Sequence, residues 1–298
     1  MITVISSVLN EEQSLEELYN RVAKVLKKDF ELIFVNDGST DNSVQKIKTL
    51  VSRDKRVRLV DLGLHLGKAK ALMAGFTQAK GEIIITLDAD LQDLPEEMPK
   101  LIKKIDQGYD LVSGWKKKRN DSWLKVVTSR IFNFSIWLFT SLRIHDINCG
   151  FKAYKRQVID SLNLYGDLYR FIPILAINEG FKVTEVEVKH DFRKYGKSKY
   201  GLNKGFRGLL DLFTILFLTK FKNKPLHFFG TAGLLSFLSG FIISFYLTVL
   251  WFQGESIGRR PLLILGILLL IAGIQLFTTG LLAELIVNTL YQKDDKKQ

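Results

Sequence analysis

Asp88-Ala89-Asp90-Leu91-Gln92-Asp93 stands at the end of a continuous apolar run, EIIITLD over 82–88. Two carboxylates at i and i+2, just past a buried strand, can share a Mg²⁺ or Mn²⁺ with a diphosphate. A hard cation takes oxygen ligands, and it neutralises the leaving phosphates. A lone D-x-D says little, because turns are rich in Asp. Here it has company. Asn10-Glu11-Glu12 follows the first apolar run of the chain, and Asp37-Gly38-Ser39-Thr40-Asp41 follows the second. Hydrogen bonds to a ribose and oxygen ligands for a divalent metal are two uses for such an acidic edge. Other phosphate motifs fail. There is no G-x-G-x-x-G, and Gly63-Leu-His-Leu-Gly67-Lys68-Ala69 is one residue short of a P-loop, with no Ser or Thr after the lysine.

The elements that must place these residues read as strand–helix alternation. Apolar strands are expected over 2–8, 30–35, 57–62, 82–88 and 110–115. Helices are expected over 11–28, 41–53, 67–79 and from Pro95 to about Gln107. The first is acidic at its start and basic at its end, as the helix dipole prefers. Continuous apolar strands separated by helices predict an α/β fold with a mostly parallel sheet covered on both faces. Ligands of such sheets bind at the carboxyl ends of the strands, where the acidic residues lie.

The 298 residues carry 43 Lys and Arg against 31 Asp and Glu, a net charge of +12, yet 47% are hydrophobic. That excludes intrinsic disorder, a collagen-like repeat and a disulfide-stapled scaffold. The single cysteine, Cys149, permits no intrachain disulfide and reads as a buried structural thiol. Charge and apolarity are segregated along the chain. No charged residue occurs in the 26 positions from Phe228 to Gln253, nor in the 23 from Pro261 to Ala283. About 20 apolar residues cross a bilayer core, so two transmembrane helices are expected. Met1 leads directly into ITVISSV, with no secretory signal pattern. Lys220, Lys222 and Lys224 precede the first span and Lys293, Lys296 and Lys297 follow the second, while the loop between them holds Arg259 and Arg260. The positive-inside rule then puts both termini and the catalytic domain on the cytoplasmic face. Gly266, Gly273 and Gly280, like Gly233 and Gly240, recur at seven residues and mark a helix-packing face, toward the other span or another subunit. Two shorter apolar segments, 131–142 and 208–219, are expected as core or interfacial helices.

Taken in order, Asn10-Glu11, Val35-Asn-Asp37-Gly-Ser-Thr-Asp41, Gly67-Lys68, Asp88-Ala-Asp90-Leu-Gln92-Asp93 and Arg193-x-x-Gly196-x-Ser198-Lys199-Tyr200 resemble the family 2 GT-A glycosyltransferases. The chain is most similar to their polyprenyl-phosphate branch, the dolichol-phosphate mannose synthases and related bacterial glucosyl enzymes. The likeness covers roughly 1–205. It implies a GT-A catalytic domain over 1–205, an interfacial helix over 206–225 and a two-helix membrane anchor over 226–298. It implies a nucleotide-sugar site at Val8, Asn10, Glu11, Asp37, Lys68, Asp88, Ala89, Asp90, Gln92, Arg193 and Lys199. Asp88, Asp90 and Gln92 would surround Mg²⁺ or Mn²⁺, and Arg193 would close over the diphosphate. Asp88, Asp90 and Arg193 would be catalytic, and Lys116, Lys125 and Ser129 would grip the acceptor phosphate.

The implied reaction moves a sugar from GDP-mannose or UDP-glucose to dolichyl or undecaprenyl phosphate, with inversion. A phosphate monoester is largely anionic at neutral pH, so no strong base is required. Lys116 and Lys125 stand where relatives often carry Arg, which exchanges a fork for a point charge. Ser7 and Leu94 also depart from the usual pattern. His65 reads as a turn residue, Lys116-Lys117-Lys118-Arg119 as a solvated face or an anion contact, and Asp146 as a helix cap or a sugar contact. A transferase acting on a sugar hydroxyl would carry Gln-x-x-Arg-Trp, and no Trp follows an Arg here. A non-catalytic binding protein would not need Asp88-x-Asp90. Membrane lipid is an expected partner, nucleic acid is not, and homo-oligomers could form through the glycine faces.

Overall fold

A computed structural model describes residues 1–117, 144–162, 164, 166, 168–192, 194, 214, 217–221, 224–258 and 261–295. Lys118, Arg119, Lys125, Ser129, Arg193, Lys199, segment 131–142 and most of 208–219 lie outside these. The chain divides into two compact units, Met1–Leu212 and Phe213–Gln298.

In the first unit the strands are β1 (Ile2–Val8), β2 (Phe30–Asn36), β3 (Val57–Asp61), β4 (Ile83–Asp88), β5 (Leu111–Trp115), β6 (Lys152–Lys155) and β7 (Val183–Glu187). The helices are α1 (Leu15–Leu26), α2 (Ser43–Arg53), α3 (Lys68–Gln78), α4 (Met98–Asp106), α5 (Arg156–Ser161) and α6 (Ile172–Asn178). One seven-stranded sheet runs β3-β2-β1-β4-β6-β5-β7. Its left side is parallel, as the sequence predicts, and β5 pairs parallel with β7. β6 enters antiparallel between β4 and β5. Neither β6 nor β7 was expected. The first has four residues and begins with a lysine, and the second alternates Val with Thr and Glu, as a half-buried strand does.

The core lies along β1, β2 and β4, where Val4, Ile5, Leu32, Ile33, Ile84 and Ile85 are fully buried. β2 is buried at all seven positions, one of which is Glu31. That carboxylate survives burial because its hydrogen bonds are met. It accepts from the Thr3 hydroxyl at 2.6 Å and from the Lys80 amide at 2.6 Å, and Arg58 stands 3.3 Å away. Thr3 accepts in turn from the Gly81 amide at 2.8 Å, so the network ties β1, β2, β3 and the start of β4.

The second unit is built from α7 (Pro225–Phe252) and α8 (Pro261–Asp295). Both are long and apolar enough to cross a bilayer. At most 17% of either span is buried, which a core helix of a water-soluble protein does not show. A Cβ on Gly233 would lie 2.8 Å from the Gly273 carbonyl oxygen, and one on Gly240 would lie 2.7 Å from that of Gly266. The sevenfold glycine rhythm therefore brings α7 and α8 into backbone contact. The Ser236 hydroxyl adds a 2.9 Å bond to the Leu269 carbonyl across the pair.

Glu31→Ala strands Arg58 and the Lys80 amide, and thermal unfolding of the full chain in detergent should show a loss of about 3 kcal/mol. Gly273→Leu places a side chain where even a Cβ would meet Phe237 N at 2.6 Å, so cross-linking between α7 and α8 should fall well below that of the native chain.

Candidate active site

Register sets the site. Ser7 lies beside Asp88, Val8 beside Asn36, and Asn36 beside Asp61, so β1, β2, β3 and β4 end along one edge. The loops leaving that edge carry most of the residues singled out from the sequence.

At the β1–β2 end, the two loops are laced together. The Thr40 amide donates to Asn10 Oδ1 at 2.7 Å and the Asn10 amide to Ser39 Oγ at 2.9 Å. The Glu11 amide donates to Ser43 Oγ at 3.0 Å, and the Asp37 amide to the Val8 carbonyl at 2.9 Å. Asn10 sits at φ 52°, a left-handed conformation that Asn tolerates. Burial opposes ionisation of Asp41, but donors from Ser43 and Glu12 outweigh it and hold its pKa below the usual value.

Asp37 is buried, with its carboxylate already engaged. It accepts from the Leu66 amide at 2.7 Å and the Gly67 amide at 3.1 Å, and His65 Nδ1 lies 2.8 Å away. Thus Asp37 anchors the β3–α3 loop. Gly38 is required beneath that loop: its φ is 74°, and a Cβ there would lie 2.4 Å from His65 N. His65 is exposed, as a turn residue should be, but its link to Asp37 across 28 residues has no local sequence signal.

At the β4 end, Lys68 Nζ lies 2.5 Å from Asp88 Oδ1, and 5.5 Å from the centre of the Tyr169 ring. Asp90 Oδ1 accepts from the Gln92 amide at 3.1 Å, and Leu91 takes φ 61° to make the turn. Ala89 is buried behind it. Gly150 leaves a notch beside Asp88: a Cβ would stand 3.0 Å from Oδ2 and 3.1 Å from Oδ1. Thr86 fixes this approach by donating to the Gly150 carbonyl at 2.8 Å.

Below lies a buried ionic group that spacing did not reveal. Asp93 is 1% exposed, with Lys116 Nζ at 2.7 Å and His190 Nδ1 at 3.4 Å. Among the described residues neither Asp93 oxygen has a donor that meets hydrogen-bond geometry, and the 2.7 Å ion pair with Lys116 holds the group. Burial would raise the Asp93 pKa, but Lys116 and His190 bring it well below the carboxylate range. Burial likewise works against the Lys116 ammonium, and Asp93 more than compensates, raising its pKa. Lys116, expected at the acceptor phosphate, is thus already shared with a carboxylate. Asp93 and His190 form an antiparallel bridge, and the Asp191 amide donates to the Gln92 carbonyl at 2.9 Å. The Asp88–Asp93 loop is thereby fastened to the segment that runs toward Arg193.

Lys152 is the other residue missed. It is 2% exposed on β6, donates to the Cys149 carbonyl, and burial lowers its pKa to about 8. Cys149 is buried, and burial pushes its thiol up to about 12, in line with a structural role. Asp146 is also buried, at 2% exposure. Of the basic run, Lys117 pairs with Glu187 at 3.3 Å on the surface, whereas Lys116 is turned inward to Asp93.

Comparison with known proteins supplies the frame. Residues 3–162 match the model of Glycosyl transferase family 2. The chain is 35% identical to a dodecaprenyl-phosphate galacturonate synthase of Rhizobium johnstonii, over 98% of its own length and 89% of the relative's. It is 36% identical to an undecaprenyl-phosphate 4-deoxy-4-formamido-L-arabinose transferase of Proteus mirabilis, over 96% and 88%. Among solved structures, the glucosyl-3-phosphoglycerate synthase of Mycobacterium tuberculosis, with Mn²⁺, UDP-glucose and phosphoglyceric acid, aligns with a TM-score of 0.58 at 18% identity. The alignment covers 72% of this chain and 79% of that one, and supports a shared fold. A parallel strand edge carrying Asp88-x-Asp90, together with similarity over nearly the whole length, places the chain in glycosyl transferase family 2.

Proposed function

We infer that the protein transfers a sugar from a nucleotide-sugar to the phosphate of a polyprenyl phosphate, giving a lipid-phosphate-linked sugar. The observation that carries this reading is the end of β4, where Asp88 meets Lys68 at the carboxyl edge of the sheet, two residues before Asp90. The names of the two long-matching relatives, both polyprenyl-phosphate sugar enzymes, support the acceptor class. The two apolar helices support the same reading, since they would tether the enzyme to the bilayer that holds the lipid.

The roles assigned to residues follow from chemistry. Val8, Asn10, Glu11 and Asp37 border the nucleoside end of the edge, with Asp37 acting through the loop it anchors. Asp88, Ala89, Asp90 and Gln92 border the diphosphate. Lys68 is the cation nearest Asp88, and diphosphate oxygens would compete with that carboxylate for it. Arg193 and Lys199 are assigned to the donor side, and Lys125 and Ser129 to the acceptor phosphate, by motif alone. Lys116 contributes to the acceptor side while neutralising Asp93.

The donor set fits a hard divalent cation. Asp88 and Asp90 offer two carboxylates and Gln92 an amide oxygen, and the Gly150 notch leaves room beside Asp88. Among the described residues, no cluster of three or more His, Cys, Asp or Glu is arranged to hold a metal by itself. That pattern suits Mg²⁺ or Mn²⁺, which take few protein ligands and draw the rest from phosphate and water. Such an ion, when bound, would offset the charge that develops on the leaving diphosphate.

In the step proposed, an acceptor phosphate oxygen attacks the anomeric carbon. The bond from that carbon to the donor diphosphate breaks on the opposite face, and the nucleoside diphosphate leaves with the electron pair. The acceptor needs no base, because its second pKa is about 6. What the protein must supply is cations that let two anions approach, a task for Lys68, Lys116 and the basic residues assigned to the acceptor. The catalytic domain would occupy 1–205 and face the cytoplasm, on the side of Lys220, Lys224 and Lys293. The juxtamembrane stretch 206–225 and the anchor 226–298 would complete the chain.

The test is label transfer to the organic phase, using purified full-length protein, undecaprenyl phosphate, Mn²⁺ and four labelled donors. These are UDP-glucose, GDP-mannose, UDP-galacturonate and UDP-4-deoxy-4-formamido-L-arabinose. One donor should give lipid-extractable label that EDTA abolishes. Asp88→Asn and Asp90→Asn should each lower the rate about a hundredfold or more. Native turnover in both variants would remove these carboxylates from the mechanism.

A further inference from the structure

One cation reaches the site from a part of the chain that no motif singled out. Residues Leu168–Phe171 form a 3-10 turn that leads into α6. In such a turn, residues three apart share a face. Leu168 and Phe171 are 5% and 0% exposed, and they fix the turn in the core. Tyr169 and Arg170, between them, are half-buried. The Tyr169 ring is shared by two cations: Lys68 Nζ and the Arg170 guanidinium carbon each lie 5.5 Å from its centre. Arg170 Nε also donates to the Tyr169 hydroxyl at 3.3 Å. Lys68 is the lysine that pairs with Asp88 at 2.5 Å. One aromatic ring thus joins Arg170 to the end of β4.

The order of the sheet decides which substrate Arg170 meets. On the transferase reading the nucleoside lies at β1 and β2 and the diphosphate at β4. The acceptor then approaches from beyond β4, where the sheet continues as β6, β5 and β7. The turn belongs to that side, because α6, into which it leads, packs on β5 and β7. Acceptor phosphate and donor diphosphate must stand close for transfer, and two such anions repel. Lys116, the described residue assigned to the acceptor, lies 2.7 Å from the sealed Asp93, so that carboxylate offsets its charge. Arg170 brings a further positive charge to the same side. A guanidinium is a planar fork that can bond two phosphate oxygens at once, and it stays charged at neutral pH. A phosphate monoester, carrying close to two negative charges there, suits such a fork.

We propose that Arg170 binds the phosphate of the acceptor lipid, with Tyr169 positioning its guanidinium beside Lys68. The ring sets the spacing of the two cations, Lys68 toward the leaving diphosphate and Arg170 toward the entering phosphate. The proposal rests on the transferase reading for the identity of the anion, and it is independent of which sugar is transferred.

Binding without turnover tests it, using full-length protein in detergent and farnesyl phosphate as a soluble probe. Farnesol, which lacks the phosphate, is one control, and UDP or GDP, whichever the native protein binds, is the other. Arg170→Gln should weaken farnesyl phosphate binding about tenfold to a hundredfold, and leave farnesol and the nucleotide within about twofold of native. Arg170→Lys keeps the charge without the fork and should recover part of the loss. Tyr169→Phe keeps the ring but removes the hydroxyl that takes Arg170 Nε, and should weaken farnesyl phosphate about threefold. If Arg170→Gln does not fold, Arg170→Lys and Tyr169→Phe carry the same comparison. Native affinity for farnesyl phosphate in these variants, or a native protein that binds farnesol as tightly as farnesyl phosphate, would overturn the proposal. An equal loss of nucleotide affinity would also overturn it, by moving Arg170 to the donor side. Label transfer by the native protein reports separately. If no label moves and farnesyl phosphate binding still depends on Arg170, the transferase reading fails while the phosphate site stands.

Discussion

Charge balance at the end of β4 is the constraint on which the rest of the first unit turns. Three carboxylates, Asp88, Asp90 and Asp93, leave one central strand within six residues. Uncompensated, they would repel one another and resist burial. Their compensation comes from distant elements: Lys68 from the start of α3, Lys116 from just beyond β5, and His190 from just beyond β7. Bringing Lys116 and His190 in requires the sheet to extend past β4. The antiparallel β6 does this, because it lets β5 and then β7 line up beyond it. The same strand carries Lys152 into the interior and sets Gly150 against Asp88.

The division of labour among the carboxylates follows from their surroundings. Asp93 is sealed and ionised by Lys116, and so serves structure. Asp88 is far more open and pairs with a lysine that diphosphate could claim. Asp37 spends its oxygens on the amides of Leu66 and Gly67, and so fixes the loop between β3 and α3. Proximity in sequence to a familiar motif thus does not predict which carboxylate is available. Burial and prior partners do.

What could be read from the sequence divides along the same physical lines. The parallel half was legible because β1, β2 and β4 are continuous apolar runs, the signature of strands covered on both faces. The acidic edge was legible because ligands gather where parallel strands end. β6 and β7 were not, since a four-residue strand holding Lys152 and an alternating VTEVE give no such run. Nor were the partners of Asp37 and Asp93, which lie 28 and 97 residues away at His65 and His190 and meet only through the tertiary fold. In the second unit, glycine spacing announced a close contact but not its partner. The structure assigns that contact to α7 against α8.

Asp88 is the proposed meeting point of donor diphosphate and divalent cation, and that can be measured without turnover. Calorimetric titration of the full-length protein with the nucleoside diphosphate of its donor, with and without Mn²⁺, is the direct test. Mn²⁺ should tighten binding at least about tenfold in the native protein, and Asp88→Asn should erase that difference while leaving the thermal midpoint nearly unchanged. Metal-independent binding of equal strength in the native and Asp88→Asn proteins would contradict the account.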